Sequence, residues 1–421
     1  MTTATLKTLQ CFVLLSAMAI SFSSCLKDDC KQFYTYQLYK PVYMSYDDLR
    51  AAVKSSAITD MKNIGKIYYK APYIFLSEVD KGIHVLDNTN PSSPQNIAFI
   101  NVPGNLDIAI KDNVLYADSY IDLVGIDISD PNNAKEIWRD QNVFPQRNYN
   151  GWFADGTKGV VTDWIESDTT IEEDCSNTYP IRFEGDLFYA ATSGGTNTTS
   201  GAPGNGVAGS LARFAISSDY LYCIANPSLL LFNIQNANQP VDNGLVSGWW
   251  NAETLFPYNQ YLFVGSTTGV SIYNNYNPSS PSLISTVTHV TGCDPVVVEG
   301  NYAYSTIHAG NMCGQSFNEM NVIDITNISN PVIAKTYDLA NPYGVGIDGK
   351  NLFVCDDLSG LKMYDASDPT ALILKQTVQA GETRDVIPLG GILLLISTDG
   401  LYEFDYSSGT LNQLSFTPIS K

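Results

Sequence analysis

Short stretches in which apolar and polar residues alternate recur along most of the chain, and seven of them end at an Asp or Asn followed by a turn. Alternation with a period of two is typical of β-strands that bury one face. One strand motif occurs seven times, for example as GIHVLDNTNPSSP from Gly82 and as GLKMYDASDPTAL from Gly360. Its terminal Asp or Asn forms a column of equivalent positions: Asp87, Asp127, Asn233, Asn274, Asp324, Asp365 and Asp405.

The spacing of this column predicts the fold. Most successive members lie about 40 residues apart, which is the length of a four-stranded propeller blade. A closed ring of such blades leaves no long sheet edge exposed. We therefore predict an all-β chain whose residues 63–421 form a seven-bladed β-propeller of four-stranded antiparallel blades. The side chain of each column residue is expected to cap the following turn through its own backbone.

Two intervals of the column are longer than the rest and predict insertions. The longer one covers about residues 141–208, between blades two and three, and the shorter one lies around His308–Phe317 in blade five. If each blade is an up-and-down meander, both insertions emerge on the same face of the ring. Loops on a rigid scaffold often carry function, so we predict binding at this face. The candidate residues are Trp152, Trp164, Asp107, Arg213, Asp385 and His308.

Two plainer interpretations of these residues stay open. The insertions could merely cover the ring, and the charges at the channel mouth could only pair with one another. Gly204, Gly206 and Gly209 have the spacing of a dinucleotide-binding motif, but a strand follows them where that motif needs a helix. We therefore predict a flexible linker there and no nucleotide.

The N-terminus has the features of a secretory signal. Lys7 precedes an apolar run, Leu9–Phe22, which is too short to span a bilayer as a stable helix but fits a signal-peptide core. Small residues then precede Cys25, as in the lipobox of lipoproteins. We predict that residues 1–24 are a lipoprotein signal peptide and that Cys25 carries palmitate and the other lipid chains. The alternative is an ordinary secretory signal that is cut elsewhere.

The residues after Cys25 indicate where the anchored protein would go. Lys27-Asp28-Asp29 resembles the tag that exports Bacteroidetes lipoproteins to the cell surface. This resemblance implies an outer-membrane protein exposed at the surface and attached through its N-terminal lipid. Residues 25–62 are predicted to form a linker with a short helix, near Tyr46–Lys54, that packs on the propeller.

Composition excludes some classes of partner and supplies no catalytic motif. The net charge of −20 opposes binding to nucleic acid or to anionic lipid. The three histidines lack metal-binding spacing, and no nucleophile elbow, phosphate-binding loop or EF-hand loop is present. We predict neither a cofactor nor a metal, and we assign no catalytic residue. In an oxidising compartment a disulfide between Cys293 and Cys313 is expected, since both lie in blade five near the insertion face.

The repeated strand motif resembles the LVIVD repeat, and the run from Lys40 through YADSYIDLV resembles the LVIVD-repeat propeller lipoproteins of Bacteroidetes. The resemblance implies a surface lipoprotein and offers no catalytic residues. We expect a non-enzymatic propeller that binds a glycan, a peptide or a partner protein. The alternatives are a hydrolase or lyase that acts on polysaccharide through Asp107, Asp385 and Arg213, and a structural subunit of an outer-membrane complex.

Overall fold

A computed structural model describes most of the chain beyond its first 30 residues. The described residues are 31–145, 147–149, 152–174, 207–248, 251–288, 295–308 and 317–420. They fall into two compact units. The smaller unit is drawn from Met1–Val42 and Asp163–Tyr189, and the larger unit from Tyr43–Thr162 and Ala190–Lys421.

The smaller unit is built on a two-stranded sheet. Its strands, Lys31–Met44 and Val160–Asp174, pair with each other, and the hydroxyl oxygens of Thr35 and Thr170 lie 3.1 Å apart. No helix in the described part of the chain has the length and apolarity needed to cross a membrane.

The larger unit is a β-propeller, and its described residues include seven four-stranded antiparallel groups whose strands follow chain order. Blade 1 contains Ile64–Lys70, Tyr73–Glu78, Gly82–Asp87 and Gln95–Asn101. Blade 2 contains Ile108–Lys111, Val114–Ser119, Asp122–Asp127 and Lys135–Asp140. Blade 3 contains Phe214–Ser217, Tyr220–Ala225, Ser228–Asn233 and Val241–Ser247. Blade 4 contains Ala252–Tyr258, Tyr261–Ser266, Gly269–Asn274 and Ser282–Thr288.

The remaining three blades repeat this arrangement. Blade 5 contains Val296–Glu299, Tyr302–Ile307, Glu319–Asp324 and Val332–Asp338. Blade 6 contains Val345–Asp348, Asn351–Cys355, Leu361–Asp365 and Ile373–Val378. Blade 7 contains Thr383–Pro388, Ile392–Ser397, Gly400–Asp405 and Asn412–Pro418. The first strands of consecutive blades lie side by side around a central channel. The predicted all-β architecture of four-stranded repeats is confirmed.

Short elements connect the N-terminal part of the larger unit to blades 1 and 2. The helix Tyr46–Ala51 begins at Ser45, whose hydroxyl accepts a hydrogen bond from the Asp48 amide at 3.1 Å. The strand Lys54–Ser56 pairs with the fourth strands of both blades and joins them into one sheet. Four further short elements are the 3₁₀ helix Pro131–Asn133, the strands Asn148–Tyr149 and Trp152–Phe153, which pair with each other, and the strand Val207–Ala208, which pairs with blade 1.

The Asp/Asn column explains why each third strand ends where it does. At all seven positions the side-chain Oδ1 atom accepts a hydrogen bond from the backbone amide two residues later, at 2.8 to 3.0 Å. This local bond competes with continuation of the strand and favours a turn. The predicted capping role of the column is therefore observed in every blade.

Packing between blade 7 and blade 1 closes the ring. Ile67 and Ile74 of blade 1 share one buried apolar cluster with Ile387 and Leu394 of blade 7. Beyond blade 7, the Ser420 amide donates a 2.7 Å hydrogen bond to the Met61 carbonyl, just ahead of blade 1. Each end blade draws all four strands from its own part of the chain, so side-chain packing closes the ring without a shared sheet.

Candidate functional site

Both predicted insertions leave the propeller at one face, which we call the insertion face. The longer insertion begins after Asp140, and the Phe144 amide donates to the Ile121 carbonyl, in the turn between the second and third strands of blade 2, at 2.9 Å. The shorter insertion begins at the corresponding turn of blade 5, after Ile307. First strands begin at this face, and fourth strands end there. Residues at the starts of first strands therefore lie close to it.

The end of the longer insertion runs through the central channel. Val207 and Ala208 pair antiparallel with Tyr69 and Tyr68, on the first strand of blade 1. The chain continues along this strand toward the insertion face, since the Gly209 amide donates to the Ile67 carbonyl at 3.3 Å. We call residues 207–212 the channel segment.

The channel segment also bonds to blades across the channel. The Ser210 hydroxyl accepts a 2.7 Å hydrogen bond from the Val345 amide of blade 6. The Ala212 carbonyl accepts one of 2.9 Å from the Leu255 amide of blade 4. We expected a flexible linker from Gly204 to Gly209, but its described residues 207–209 pair with the first strand of blade 1. The channel segment as a whole is hydrogen-bonded to blades 1, 4 and 6.

Three buried charged side chains hold the channel segment in place. Asp385 Oδ1 accepts hydrogen bonds from the Ser210 amide at 3.0 Å and from its hydroxyl at 3.1 Å. Asp107 Oδ2 accepts one from the Arg213 amide at 2.6 Å. Lys66 Nζ donates to the Leu211 carbonyl at 2.9 Å and lies 3.7 Å from Asp107 Oδ2. Both aspartates are only 1% exposed, so a ligand at the insertion face does not reach their carboxylates.

Burial shifts the pKa values of Asp107 and Lys66. Desolvation raises the pKa of Asp107 above its ordinary value, and the nearby Lys66 ammonium opposes that rise. Desolvation likewise lowers the pKa of Lys66 to about 8, against the attraction of Asp107. The geometry gives both side chains a structural role at the core of the ring.

Arg213 lines a pocket that opens at the insertion face between blades 2 and 3. The pocket has a volume of about 470 Å³, within the range of small-ligand sites. We call it the blade 2–3 pocket. Among the described residues, its lining consists of Leu106, Val143, Phe144, Pro145, Arg147, Arg213, Ile224, Ala225, Asn226, Pro227, Ser228, Leu230 and Leu245.

The two guanidinium groups of the pocket differ in their partners. Arg147 Nη1 donates to Asp118 Oδ2, and its guanidinium carbon lies 5.2 Å from the centre of the Phe144 ring. The Arg213 guanidinium has no hydrogen bond or salt bridge to any residue that the structure describes. Burial, and then repulsion by Arg147, lower the pKa of Arg213 from its ordinary value. Arg213 remains protonated because an arginine pKa is far above neutral pH.

His308 belongs to a second cluster at the insertion face. Its ring centre lies 4.4 Å from that of Tyr343, and the Arg384 guanidinium carbon lies 4.3 Å from the Tyr343 ring centre. Burial, with a contribution from Arg384, lowers the pKa of His308 to about 4. The imidazole is therefore neutral at physiological pH and packs as an aromatic group.

The two tryptophans lie on separate elements. Trp152 is in the short strand Trp152–Phe153, and the half-buried Trp164 is in the strand Val160–Asp174 of the two-stranded sheet. The structure brings Asp107 into contact with the Arg213 amide, whereas His308 packs against Tyr343 at the turn of blade 5.

The lipidation and disulfide predictions lie outside the described residues, since neither Cys25 nor the pair Cys293 and Cys313 is included. Cys223 and Cys355 are buried free thiols, and burial raises the pKa of both. Within the described ranges, no group of His, Cys, Asp and Glu side chains is arranged to hold a metal ion.

Sequence reasoning missed the channel segment and the pocket residues Phe144 and Arg147. One sequence signal for the segment was present: glycine at position 209 lets the backbone lie close to the Asp385 carboxylate. A Cβ atom there would lie 1.8 Å from Asp385 Oδ2. The pocket gave no local signal, since its walls come from two blades and from the start of the insertion.

Comparison with known sequences supports the repeat assignment. A sequence model of the LVIVD repeat matches residues 293–339 and 343–380. These matched residues cover blades 5 and 6, so the chain is a β-propeller that contains LVIVD repeats. No curated protein matches the sequence.

Several solved structures are similar to this chain at low sequence identity. Sqt1 of Saccharomyces cerevisiae is 9% identical with a TM-score of 0.51, over 88% of this chain and 90% of that one. The computationally designed Ika8 protein is 11% identical with a TM-score of 0.48, over 83% and 86%. BamB of Moraxella catarrhalis is 9% identical with a TM-score of 0.45, over 79% and 80%. At this identity the likeness to Sqt1 shows the fold alone.

Proposed function

We propose that the protein is a surface-anchored lipoprotein whose propeller binds a ligand in the blade 2–3 pocket without catalysing a reaction. The carboxylates that a hydrolase or lyase would need, Asp107 and Asp385, accept hydrogen bonds from backbone amides of the chain itself. A substrate would have to displace the channel segment to reach them. Binding through the pocket needs no such rearrangement.

One observation carries this proposal: two guanidinium groups, Arg147 and Arg213, line a mostly apolar pocket in a protein with a net charge of −20. Placing a cation among apolar groups without a bonded partner costs free energy. A surface with this many carboxylates could have supplied a partner for Arg213. The arrangement is explained if an acidic ligand completes it.

A screen of glycan and peptide arrays tests the binding function. The probe is the chain without residues 1–25, and the key variant is Leu245→Asp. Leu245 is 58% exposed and lies at the rim of the pocket. Leu283→Asp is the matched control, because Leu283 is 57% exposed and also lies on a fourth strand, but in blade 4 and outside the pocket.

We expect Leu245→Asp to lose array binding and Leu283→Asp to keep it, because only the former puts a negative charge beside the site. If both variants bind like the wild type, the site lies elsewhere. If both variants lose binding equally, a new negative charge anywhere on the surface reduces binding, and the proposed pocket is wrong.

The anchoring part of the proposal rests on the N-terminal sequence and has its own test. We propose that lipid on Cys25 holds the protein in the outer membrane with its propeller at the cell surface. Expression of the full chain in a bacterium with an outer membrane and labelled palmitate should label the wild type but not Cys25→Ala. External protease should degrade the wild type on intact cells. Label in the Cys25→Ala variant, or complete protection from protease, would contradict this anchoring.

A further inference from the structure

We infer that the blade 2–3 pocket binds the C-terminal carboxylate of a peptide whose last side chains are apolar, and that Arg213 binds this carboxylate. The inference rests on the proposed binding function and names its class of ligand. It depends on the charge at the inner end of the pocket, on the chemistry of its walls and on the direction in which it runs.

The charge at the inner end is available to a ligand. Arg147 is already paired with Asp118, a buried carboxylate that also accepts hydrogen bonds from the Leu106 and Asp107 amides, at 2.8 and 2.9 Å. Arg213 has no such bonded partner in the described part of the chain. An arginine presents a planar fork of donors that matches a carboxylate. A ligand carboxylate bound to the Arg213 guanidinium would therefore displace solvent and form charge-assisted hydrogen bonds with it.

Asp107, a carboxylate of the predicted site, is not available to pair with the Arg213 guanidinium. Asp107 Oδ2 accepts the Arg213 backbone amide at 2.6 Å, and its Oδ1 accepts the Ile108 amide at 2.9 Å. Asp107 also faces the Lys66 ammonium at 3.7 Å. Asp107 is thus already bonded to two backbone amides, whereas the Arg213 side chain lines the pocket.

The walls favour an apolar peptide over a sugar. Among the described lining residues Phe144 is the only aromatic one; it is 5% exposed, and its ring stacks on Phe214 with centres 5.9 Å apart. It therefore offers no open ring face on which a sugar could stack. Apart from the two arginines, the other large side chains of the described lining, including Ile224, Leu230 and Leu245, are aliphatic. Such walls gain free energy by covering apolar side chains.

The direction of the pocket favours a chain end over an internal acidic residue. Arg213 lies directly before the first strand of blade 3, and its amide is bonded to buried Asp107. Leu245 lies on the fourth strand of the same blade and is 58% exposed. The pocket thus runs from an apolar outer rim to a cationic inner end. A peptide terminus can enter such a site end-on, whereas an internal residue needs room for chain on both sides.

The test compares acetyl-Ala-Leu-Leu as the free acid with its C-terminal amide, by isothermal titration with the chain without residues 1–25. We expect the acid to bind at least tenfold more tightly, which corresponds to about 1.4 kcal/mol. Arg213→Met keeps much of the side-chain length and removes the charge, so it should abolish this preference. Leu283→Asp should retain the preference in full.

Equal binding of acid and amide by the wild type would overturn the inference, whatever the variants do. A preference that survives in Arg213→Met would also overturn it, because the carboxylate would then be bound by another group. Stronger competition by a uronic-acid oligosaccharide than by the peptide would assign the pocket to a glycan and overturn the peptide class. The proposed binding function would still stand if Leu245→Asp lost array binding.

Folding of the Arg213→Met variant can be checked independently. Its guanidinium has no bonded partner to lose among the described residues, so we expect its thermal midpoint to equal or exceed that of the wild type. If the variant fails to fold, the comparison of acid and amide on the wild type still decides the inference.

Discussion

Asn88 of blade 1 donates a 2.9 Å hydrogen bond from Nδ2 to Oε2 of Glu403 of blade 7, and this bond crosses the joint where the ring closes. Both side chains are buried, with Glu403 fully inaccessible to solvent. Burial raises the pKa of Glu403 to about 7, although the bonds from Asn88 and Ser415 lower it. The closure of the propeller therefore contains a carboxyl group that changes charge near neutral pH.

The first prediction concerns the pH dependence of this joint. The pKa of Glu403 is about 7 in the folded protein and near 4.5 as the ordinary value, so folding favours the protonated form. Its contribution to stability is complete below about pH 4.5 and is lost as the pH rises through 7. Glu403→Gln imitates the protonated carboxyl and should be more stable than the wild type at pH 8 by roughly 1 to 3 kcal/mol.

Urea unfolding at pH 5.5 and at pH 8 measures this difference. The free energy of unfolding of Glu403→Gln should approach that of the wild type at pH 5.5 and exceed it at pH 8. The same difference between the two proteins at both pH values would show that Glu403 does not titrate in this range.

The second prediction concerns the turn column. Asp324 Oδ1 accepts the Thr326 amide at 2.8 Å, and Asn233 makes the equivalent bond to the Gln235 amide at 2.9 Å. Asp324→Ala removes the acceptor and should lower the melting temperature by about 1 to 2 °C. Asp324→Asn keeps the acceptor and should leave the melting temperature close to that of the wild type. If the Asn variant melts as early as the Ala variant, the negative charge, and not the turn bond, stabilises this position.

The third prediction concerns the channel segment. A Cβ atom at Gly209 would lie 1.8 Å from Asp385 Oδ2, so Gly209→Ala must push this carboxylate away from Ser210. We expect a loss of about 2 to 4 kcal/mol in the free energy of unfolding, from overpacking and broken buried hydrogen bonds.

Gly156→Ala is the control for this variant, because a Cβ atom there would meet nothing within 4 Å. It should change the stability by less than about 0.5 kcal/mol. Equal stability of the two variants in chemical denaturation would mean that the channel segment is not packed against Asp385.

The parts of the fold that depend on local pattern could be predicted from the sequence. Asp87 and Asp405 each accept a hydrogen bond from the backbone amide two positions later. Because this contact is local, a short stretch of sequence is enough to predict it. The alternation in each strand similarly reflects its own burial. These local rules were sufficient to infer a repeated four-stranded unit.

The candidate site depended on long-range contacts that no local pattern encodes. Ser210 bonds to Asp385, 175 positions later in the chain. Arg213, which precedes the first strand of blade 3, shares its pocket with Leu245 of the fourth strand. Asp107 and Asp385 were predicted at an open channel mouth because the path of the channel segment was unknown. In the structure Asp385 accepts a hydrogen bond from the Ser210 amide of that segment, and Asp107 accepts one from the amide of Arg213, which follows it.

The blade 2–3 pocket as the ligand site is tested most directly by hydrogen–deuterium exchange of the chain without residues 1–25, with and without a ligand selected on the arrays. Binding should slow exchange in segments 143–145 and 224–228, which line the pocket. Exchange should stay unchanged in segments 257–262 and 347–352, where first strands turn into second strands at the opposite face. Protection confined to those opposite turns would contradict the proposed site.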